Sequence, residues 1–375
     1  MILPGGTLGL LGGGQLGRMF TLRALEMGYQ VVVLEPDPLS PAGAVATEHI
    51  IAPYDDPAAL EQLTQRATAI TTEFENVPAQ ALEWLERHAI CRPGAAAVAI
   101  AQDRIAEKTF LREAGLATAD FAAVRGRAEL EAAWHRIGPP ALLKTSRLGY
   151  DGKGQETILT LADALAAFQR FGEVACVFER RLALEIEVSV VLARDAAGTV
   201  ALFPVGENVH RNGILHTTVV PAGIGSDLQR AAQAAASRVA VALNYVGVLG
   251  VEMFVANGGQ LFVNEVSPRP HNSGHYTQDA CASDQFEQQV RVLAGLPLGD
   301  SRLLTPVAMI NLLGDVWTGG DPKWEQALAL PGVKLHLYGK REVRSGRKMG
   351  HLNCQSNSTA NALALAEKAW QMLQS

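Results

Sequence analysis

The segment GVEMFVANGGQLFVNEV (residues 250–266) predicts a β-hairpin, because two apolar strand-forming runs flank the turn signal Gly258-Gly259. If these two glycines form the turn, the register places Glu252 directly opposite Glu265. The other residues predicted for the same face are apolar: Val248, Phe254, Leu261 and Val263. Two carboxylates opposed on an apolar face repel each other and are poorly solvated. The pattern predicts a shared cation, unless the face is exposed and the carboxylates are merely solvated.

The ligand chemistry of these two glutamates favours Mg2+ or Mn2+, which prefer hard oxygen donors. Magnesium held by only two protein carboxylates usually has phosphate oxygens completing its shell. A nucleoside triphosphate is therefore the leading candidate ligand. The sequence has no G-x-x-x-x-G-K-S/T loop and no HRD or DFG motif, which disfavours a P-loop enzyme and a protein kinase.

A glycine-rich stretch supplies a substitute for the P-loop. In ALLKTSRLGYDGKGQ (residues 141–155), Lys144 lies on a predicted strand that precedes three glycines, Gly149, Gly152 and Gly154. Glycines let backbone amides approach phosphate oxygens closely, and Lys153 adds a positive charge. The stretch predicts a phosphate-binding loop, with an ordinary mobile hairpin as the alternative.

The order of strand and helix signals changes along the chain. Over residues 1–100 they alternate, which predicts a parallel, doubly wound sheet. Asp103 is then expected to cap a linker helix that ends at Gly115. Beyond it the strands are more frequent and look antiparallel. After residue 300 a small module is predicted, with strands and a terminal helix.

The segment GGGQLG (residues 12–17) fits the G-x-G-x-x-G fingerprint between a strand and a helix. Glu35 and Asp37 follow the second predicted strand, where dinucleotide-binding proteins carry an acidic residue. Three interpretations stay open: a dinucleotide site, a sugar phosphate held on the same amides, and a tight turn without a ligand.

Two further segments carry charges suited to a binding site. In FERRLALEIEVSV (residues 178–190), Glu179 ends a predicted strand, where backbone groups could bind adenine and the acid could bind ribose hydroxyls. The segment GKREVRSGRKMGH (residues 339–351) concentrates basic residues, which indicates either a phosphate clamp or a solvated loop.

The segment NEVSPRPHNSGHYTQ (residues 264–278) is dense in polar residues and contains two prolines, so it predicts an irregular loop that displays Arg269 and His271. His271 and His275 have the spacing of a helical metal pair, but the intervening Asn-Ser-Gly disfavours a helix. An anion or substrate pocket is the favoured interpretation.

Composition excludes several classes of function. The 375 residues carry a net charge of −6 without a basic run, which argues against nucleic-acid and membrane-surface binding. The four cysteines have neither zinc nor disulfide spacing, as expected of reduced thiols in a cytoplasmic protein. The N-terminus lacks the positive region of a signal peptide, and no stretch of about 20 apolar residues predicts a membrane span.

Taken together, several stretches resemble the ATP-grasp superfamily, and within it the ATP-dependent carboxylases of purine synthesis. The stretches are GGGQLGRM, TTEFENVP, QDRIAEKTFL, KTSRLGYDGKGQ, EIEVSV, NEVSPRPHNSGHYT and GRKMGHLN. The resemblance implies mixed α/β and α+β structure: a Rossmann-like parallel-sheet domain (1–100), an ATP-grasp domain (101–300, with subdomains 102–175 and 176–300) and a β-rich C-terminal module (301–375).

The resemblance also implies an activity, the carboxylation of 5-aminoimidazole ribonucleotide by bicarbonate and ATP to N5-carboxyaminoimidazole ribonucleotide. It implies a homodimer whose product passes to a mutase. Bicarbonate would attack the γ-phosphate, and Asp151 would orient the amine that accepts the carboxyl group. The GGGQLG turn and the basic C-terminal residues would hold the 5′-phosphate.

The residue roles carried over from the resemblance fall into four groups. The ATP contacts are Arg104, Lys144, Gly149, Tyr150, Asp151, Gly152, Lys153, Gly154, Gln155, Glu179, Arg180, Arg181, Leu182, Glu187, His210, Asn264 and Glu265. The metal ligands are Glu252 and Glu265. The ribonucleotide contacts are Gln15, Leu16, Glu73, Tyr150, Arg269, Arg347 and Lys348. The catalytic residues are Asp151, Arg269, His271 and Lys348.

The chain departs from the superfamily pattern at two places. Many members carry E-x-N at the second metal carboxylate, whereas here Asn264 precedes Glu265, which leaves one or two magnesium ions open. Ser146 occupies a position before the glycine loop that is often basic. A formate-using ribonucleotide transformylase is the alternative within the superfamily, and a dinucleotide-binding oxidoreductase or regulator is the alternative from another class.

Overall fold

The N-terminal unit is built on a parallel sheet, as the alternating pattern predicted. The computed structural model describes residues 1–149 and 154–374. Within these residues the sheet has the order β3-β2-β1-β4-β5. Its strands are β1 (Thr7–Leu11), β2 (Gln30–Leu34), β3 (Glu48–Ile50), β4 (Ala69–Thr72) and β5 (Ile90–Cys91), and its helices are α1 (Gln15–Glu26), α2 (Pro57–Arg66), α3 (Ala79–Glu86) and α4 (Ala95–Ala101).

Both faces of this sheet are covered, which explains why its strands are apolar throughout. Leu8 and Leu10 of β1 pack with α1, whereas Leu11 packs on the other side with α2 and α3. The carboxyl ends of β1 and β4 therefore meet at one edge, where α1 begins. This edge brings the GGGQLG turn beside Glu73.

The linker helix α5 (Arg104–Glu113) forms as predicted. The Asp103 side chain accepts hydrogen bonds from the amides of Ile105 and Ala106 at 3.0 and 3.3 Å. Gly115 follows the helix with a φ of 72°, a conformation that favours glycine.

A four-stranded antiparallel sheet follows in the described residues, in the order β6-β9-β7-β8. Its strands are β6 (Phe121–Val124), β7 (Ala141–Thr145), β8 (Gln155–Ile158) and β9 (Cys176–Arg180), and its helices are α6 (Arg127–Ile137) and α7 (Leu161–Arg170). β7 and β8 form the hairpin that carries the glycine-rich stretch, and Lys144 pairs with Gln155 at its base.

The large antiparallel sheet extends into the C-terminal module, because β13 pairs with β16. Within the described residues its order is β15-β14-β10-β12-β13-β16-β18-β17, with β11 beside β10. Its strands are β10 (Leu184–Arg194), β11 (Val200–Leu202), β12 (Gly206–Arg211), β13 (Ile214–Val220), β14 (Gly247–Ala256), β15 (Gln260–Ser267), β16 (Val307–Leu313), β17 (Val333–Leu337) and β18 (Lys348–Gln355). The remaining helices are α8 (Ser226–Ala242), α9 (Thr277–Ala280), α10 (Gln285–Ala294), α11 (Trp324–Leu328) and α12 (Thr359–Gln374).

The hairpin of β14 and β15 has a three-residue loop, so the predicted two-residue turn is wrong. Residues 257–259 all have positive φ, and Ala256 pairs with Gln260. A β-bulge at Asn264 then restores the register, and Glu252 does pair with Glu265. The predicted opposition is confirmed because two one-residue errors cancel.

The loop length also changes which residues share a face with the two acids. Leu261 and Val263 were predicted beside them, but they lie on the opposite face and pack into the core. Phe262 takes the place beside Phe254 instead. In the described residues, no helix combines the length and apolarity required to cross a membrane.

Candidate active site

A cavity of about 1010 Å3 collects polar residues from all three sheets. Its wall includes most of the residues singled out from the sequence: Gln15, Leu16, Glu73, Arg104, Lys144, Gly149, Gln155, Glu179, Arg180, Arg181, Leu182, Glu187, His210, Glu252, Asn264, Glu265, Arg269, His271 and Lys348. The fold thus brings residues more than 300 positions apart to one site.

Six of the sequence-derived residues are not placed on this wall. Gly154 and Arg347 are described but do not line the cavity, and the Arg347 guanidinium donates instead to the Glu342 carbonyl at 2.9 Å. The other four, Tyr150, Asp151, Gly152 and Lys153, lie outside the described residues.

The two opposed glutamates have different electrostatic surroundings. Burial and the neighbouring Glu252 raise the pKa of Glu265. Burial would also raise the pKa of Glu252, but the hydrogen bond from His271 holds it low. The pair combines a firmly ionised carboxylate with a second acid that a cation would ionise, and this donor set fits Mg2+.

His271 contacts one of these acids through Nε2, which lies 3.1 Å from Oε1 of Glu252. The backbone amide of Ser273 donates to Nδ1 of the same ring at 3.3 Å. Because an amide can only donate, Nδ1 is the acceptor and Nε2 carries the proton that points at Glu252. His271 therefore orients one of the two opposed carboxylates, a contact that the sequence did not indicate.

Two lysines, Lys108 and Lys144, surround the buried carboxylate of Glu179. Lys108 Nζ lies 2.7 Å from this carboxylate and Lys144 Nζ lies 3.4 Å from it. Burial would raise the pKa of Glu179, but the two lysines lower it to about 2, and burial lowers the pKa of Lys144. The acid is engaged by lysines rather than displayed for a ribose hydroxyl.

Arg104 ties the linker helix to the glycine-rich hairpin. Its guanidinium donates to the carbonyls of Thr145 and Gly149 at 3.2 and 2.8 Å. The guanidinium consequently lies where the glycine-rich loop begins, and Arg104 lines the cavity together with Lys144.

The GGGQLG turn holds carboxylates of this chain. The amide of Gly17 donates to Glu73 at 2.7 Å, Gly14 donates to the other oxygen of the same carboxylate, and Gly13 donates to Glu35 at 2.7 Å. A Cβ on Gly13 would stand 2.4 Å from Cγ of Glu35. The glycines admit internal acids, which argues against the dinucleotide interpretation.

The same contacts restrict where a phosphate could bind. The amides of Gly14 and Gly17 already have the Glu73 carboxylate as their acceptor. Gln15 and Leu16, at the start of α1, remain on the cavity wall. A 5′-phosphate at this turn would have to use those positions and not the whole fingerprint.

Comparison with known proteins places the chain in a family. Residues 6–102 match the ribonucleotide synthetase preATP-grasp domain, residues 109–286 the ATP-grasp domain, and residues 307–365 the phosphoribosylaminoimidazole carboxylase C-terminal domain. The N5-carboxyaminoimidazole ribonucleotide synthase of Brucella melitensis is 46% identical over 351 residues, which cover 93% of this chain and 96% of that protein. This chain belongs to the N5-carboxyaminoimidazole ribonucleotide synthase family.

Solved structures of the N5-carboxyaminoimidazole ribonucleotide synthase family share the whole architecture. The ADP complex of a PurK synthetase is 43% identical, with a TM-score of 0.94 over 100% of this chain and 99% of that one. The Aspergillus clavatus enzyme, solved with ADP and 5-aminoimidazole ribonucleotide, is 28% identical, with a TM-score of 0.91 over 99% of both chains. The family consists of ATP-grasp ligases of purine biosynthesis.

Sequence reasoning missed three charged residues of this synthase-family site: Glu75, Glu107 and Lys108. Glu75 forms an ion pair with Arg269 on the cavity wall. Glu107 and Lys108 contact the strand that carries Glu265. All three lie inside two of the stretches that carry the resemblance, TTEFENVP and QDRIAEKTFL. Their roles follow from contacts with residues far away in the chain, which the local sequence does not reveal.

Proposed function

We propose that this protein carboxylates 5-aminoimidazole ribonucleotide with bicarbonate to N5-carboxyaminoimidazole ribonucleotide, converting ATP to ADP and phosphate. The observation that carries the proposal is the pairing of Glu252 with Glu265 on the wall of the large cavity, facing cationic residues. The names of the family relatives support the same reaction, in de novo purine synthesis.

The nucleotide half of the site would use the walls around β7, β9 and β15. Glu252 and Glu265 would hold Mg2+ or Mn2+, which would supply positive charge to offset the negative charge that develops on phosphoryl transfer. Lys144 and Arg104 would position the triphosphate with the glycine loop, and backbone groups of residues 179–182 would bind adenine. Glu187, paired with His210 at 2.6 Å, would face the ribose.

The carboxylation half would begin when a bicarbonate oxygen attacks the γ-phosphorus and ADP leaves, giving carboxyphosphate. Water would hydrolyse this intermediate, so the glycine loop would close over it. Arg269 and His271 would hold the carboxyphosphate, or the carbon dioxide that it releases together with phosphate. The exocyclic amine of the ribonucleotide would then attack the carbon of either species, with phosphate leaving from carboxyphosphate, and Asp151 would orient the amine or accept its proton.

The ribonucleotide itself would lie between the two ends of the chain. Gln15, Leu16 and Glu73 would contact it from the N-terminal unit, and Lys348 from the first position of β18. Lys340 Nζ contacts Gln15 and donates to the Lys348 carbonyl at 2.8 Å, which joins these two walls. Tyr150 would close the pocket from the glycine loop.

The proposal includes an assembly and a cellular setting. The boundaries 1–100, 101–300 and 301–375 remain our division of the chain into units. We expect a homodimer in the cytoplasm, whose product is passed to a mutase that moves the carboxyl group.

The deciding experiment is an ADP-release assay coupled to NADH oxidation, with ATP and Mg2+ held constant. ADP formation should depend on both 5-aminoimidazole ribonucleotide and bicarbonate. Release that depends on formate and ignores the aminoimidazole substrate would instead support a transformylase. Release that needs neither substrate would contradict the proposal.

A further inference from the structure

The carboxylate of Glu265 stands on an edge strand next to an irregularity. β15 is the outer strand of the large sheet in the described residues, and Asn264 forms the bulge immediately before the acid. Edge amides have no partner in the sheet, and a bulge re-aims the side chains beside it. The direction of this carboxylate consequently depends on what holds the outer edge of β15.

Helix α5 holds that edge on both sides of Glu265. The amide of Val266 donates to Oε1 of Glu107 at 2.6 Å. Lys108 Nζ lies 3.5 Å from the carbonyl oxygen of Asn264. Two consecutive residues of one helix thus engage the peptide groups that precede and follow the metal carboxylate.

The helix is itself fixed to the nucleotide side of the site. Lys108 is 2% exposed and pairs with the equally buried Glu179. At the start of α5, Ser146 donates to the Asp103 carboxylate at 2.5 Å. A shift of α5 would therefore displace both the glycine hairpin and the backbone around Glu265.

Burying the Glu107 carboxyl at this position carries a desolvation cost. The residue is 4% exposed, and burial together with the charge of Glu265 raises the pKa of Glu107 to about 8. An apolar side chain of similar size would avoid this desolvation cost but would leave the Val266 amide without an acceptor. Glu107 supplies an acceptor oxygen at the distance from the helix backbone that a glutamate or glutamine side chain can reach.

We propose that Glu107 is a positioning residue that aims the Glu265 carboxylate at the divalent cation by holding the Val266 amide. The inference rests on the proposed function, since it presupposes a cation shared by Glu252 and Glu265. Outer contacts of this kind typically contribute 10- to 100-fold to metal affinity or activity.

Two substitutions separate reach from charge. Glu107→Gln keeps a carbonyl oxygen at the same distance and cannot ionise, whereas Glu107→Asp keeps an ionisable carboxyl and shortens the side chain by one methylene. Mn2+ binding to the full-length protein with saturating ADP is measured by electron paramagnetic resonance. Glu107→Asp should weaken Mn2+ at least about tenfold, and Glu107→Gln should keep it within about threefold of wild type.

The controls fix the cause of any loss. Glu113, exposed on the same helix, gives the matched variants Glu113→Asp and Glu113→Gln, which should leave Mn2+ affinity unchanged. ADP affinity without metal, measured by calorimetry, should stay within about twofold in every variant, and thermal melting verifies that each is folded.

Two results in the Glu107 variants would overturn the inference. One is Mn2+ affinity in Glu107→Asp equal to that of the wild type. The other is a larger loss in Glu107→Gln than in Glu107→Asp, which would assign the effect to the ionisable group and not to reach. Failure of the wild type to bind Mn2+ with ADP would reject the metal site itself, and the inference with it.

Discussion

Arg269 and Glu75 form a two-point ion pair that joins the N-terminal unit to the loop after β15. Nε of Arg269 lies 2.5 Å from Oε2 of Glu75, and Nη2 lies 3.3 Å from Oε1. Both residues line the cavity. The guanidinium proposed to hold carboxyphosphate is thus oriented by an acid 194 residues away in the chain.

Glu75→Gln should destabilise the protein, because it removes the counter-charge from a largely buried guanidinium. Burial would raise the pKa of Glu75, but Arg269 lowers it to about 2 from about 4.5. A lowered folded-state pKa means that this contribution is present above about pH 4.5 and is lost as the pH falls towards 2. We expect a loss of about 2–3 kcal/mol at pH 7 in urea unfolding, shrinking between pH 5 and pH 3.

The control for this prediction is Glu83→Gln on the exposed face of α3, which should change stability by less than about 0.5 kcal/mol. A Glu75→Gln loss that stays constant from pH 7 to pH 3 would show that the ion pair is not its source.

Glu73→Ala should convert the start of α1 into an anion site. The substitution removes the acceptor from the amides of Gly14 and Gly17, which then face an empty space at a helix N-terminus. We expect the variant to be less stable by roughly 1–3 kcal/mol and to be restored in part by inorganic phosphate. Thermal melting with and without inorganic phosphate, against sodium chloride of equal ionic strength, measures the effect. An equal phosphate response in wild type and variant would contradict it.

Local sequence predicted the elements whose causes are local. The Asp103 cap, the Gly115 end of α5 and the alternating pattern of residues 1–100 each depend on neighbours a few positions away. The strand at Lys348–Gln355 was missed, because its basic first residue and polar neighbours resemble a solvated loop. Its place between β16 and β17 is decided by pairing with those two strands, not by its own composition.

The site was predictable in its members but not in its contacts. The pairing of Glu252 with Glu265 followed from the hairpin pattern, although the three-residue loop and the bulge at Asn264 could not be read from it. The G-x-G-x-x-G pattern reports only that an anion approaches the turn. Whether that anion is a ligand phosphate or Glu73 is decided by residues far along the chain.

Gly250→Ala should displace His271 from Glu252. A Cβ at position 250 would stand 2.6 Å from Cβ of His271, so the loop that carries His271 would have to shift. We expect a stability loss of about 1–3 kcal/mol from overpacking and a fall in kcat greater than the change in the KM for ATP. The matched control is Gly126→Ala, where a Cβ meets nothing within 4 Å. Unchanged kcat in Gly250→Ala would argue against the orienting role of His271.

Glu265→Gln provides the most direct test of the cation site, because it removes one of the two proposed metal ligands while nearly preserving shape. ADP formation should fall more than about a hundredfold, beyond the range expected for an outer contact. The fold should persist, since Glu265 faces the cavity and a neutral amide relieves its repulsion with Glu252.

The binding readout for this variant separates loss of metal from loss of nucleotide. Wild-type protein with ADP and Mg2+ at about 100 times the dissociation constant should gain roughly 2.7 kcal/mol in stability. Glu265→Gln should lose most of that gain but respond to ADP without metal as the wild type does. Glu185→Gln, on the exposed end of β10 and outside the large cavity, should respond to both as wild type. A full Mg2+-dependent gain in Glu265→Gln would show that the cation is held elsewhere. A neutral amide cannot supply the negative charge that Glu265 adds to that of Glu252 at the proposed site.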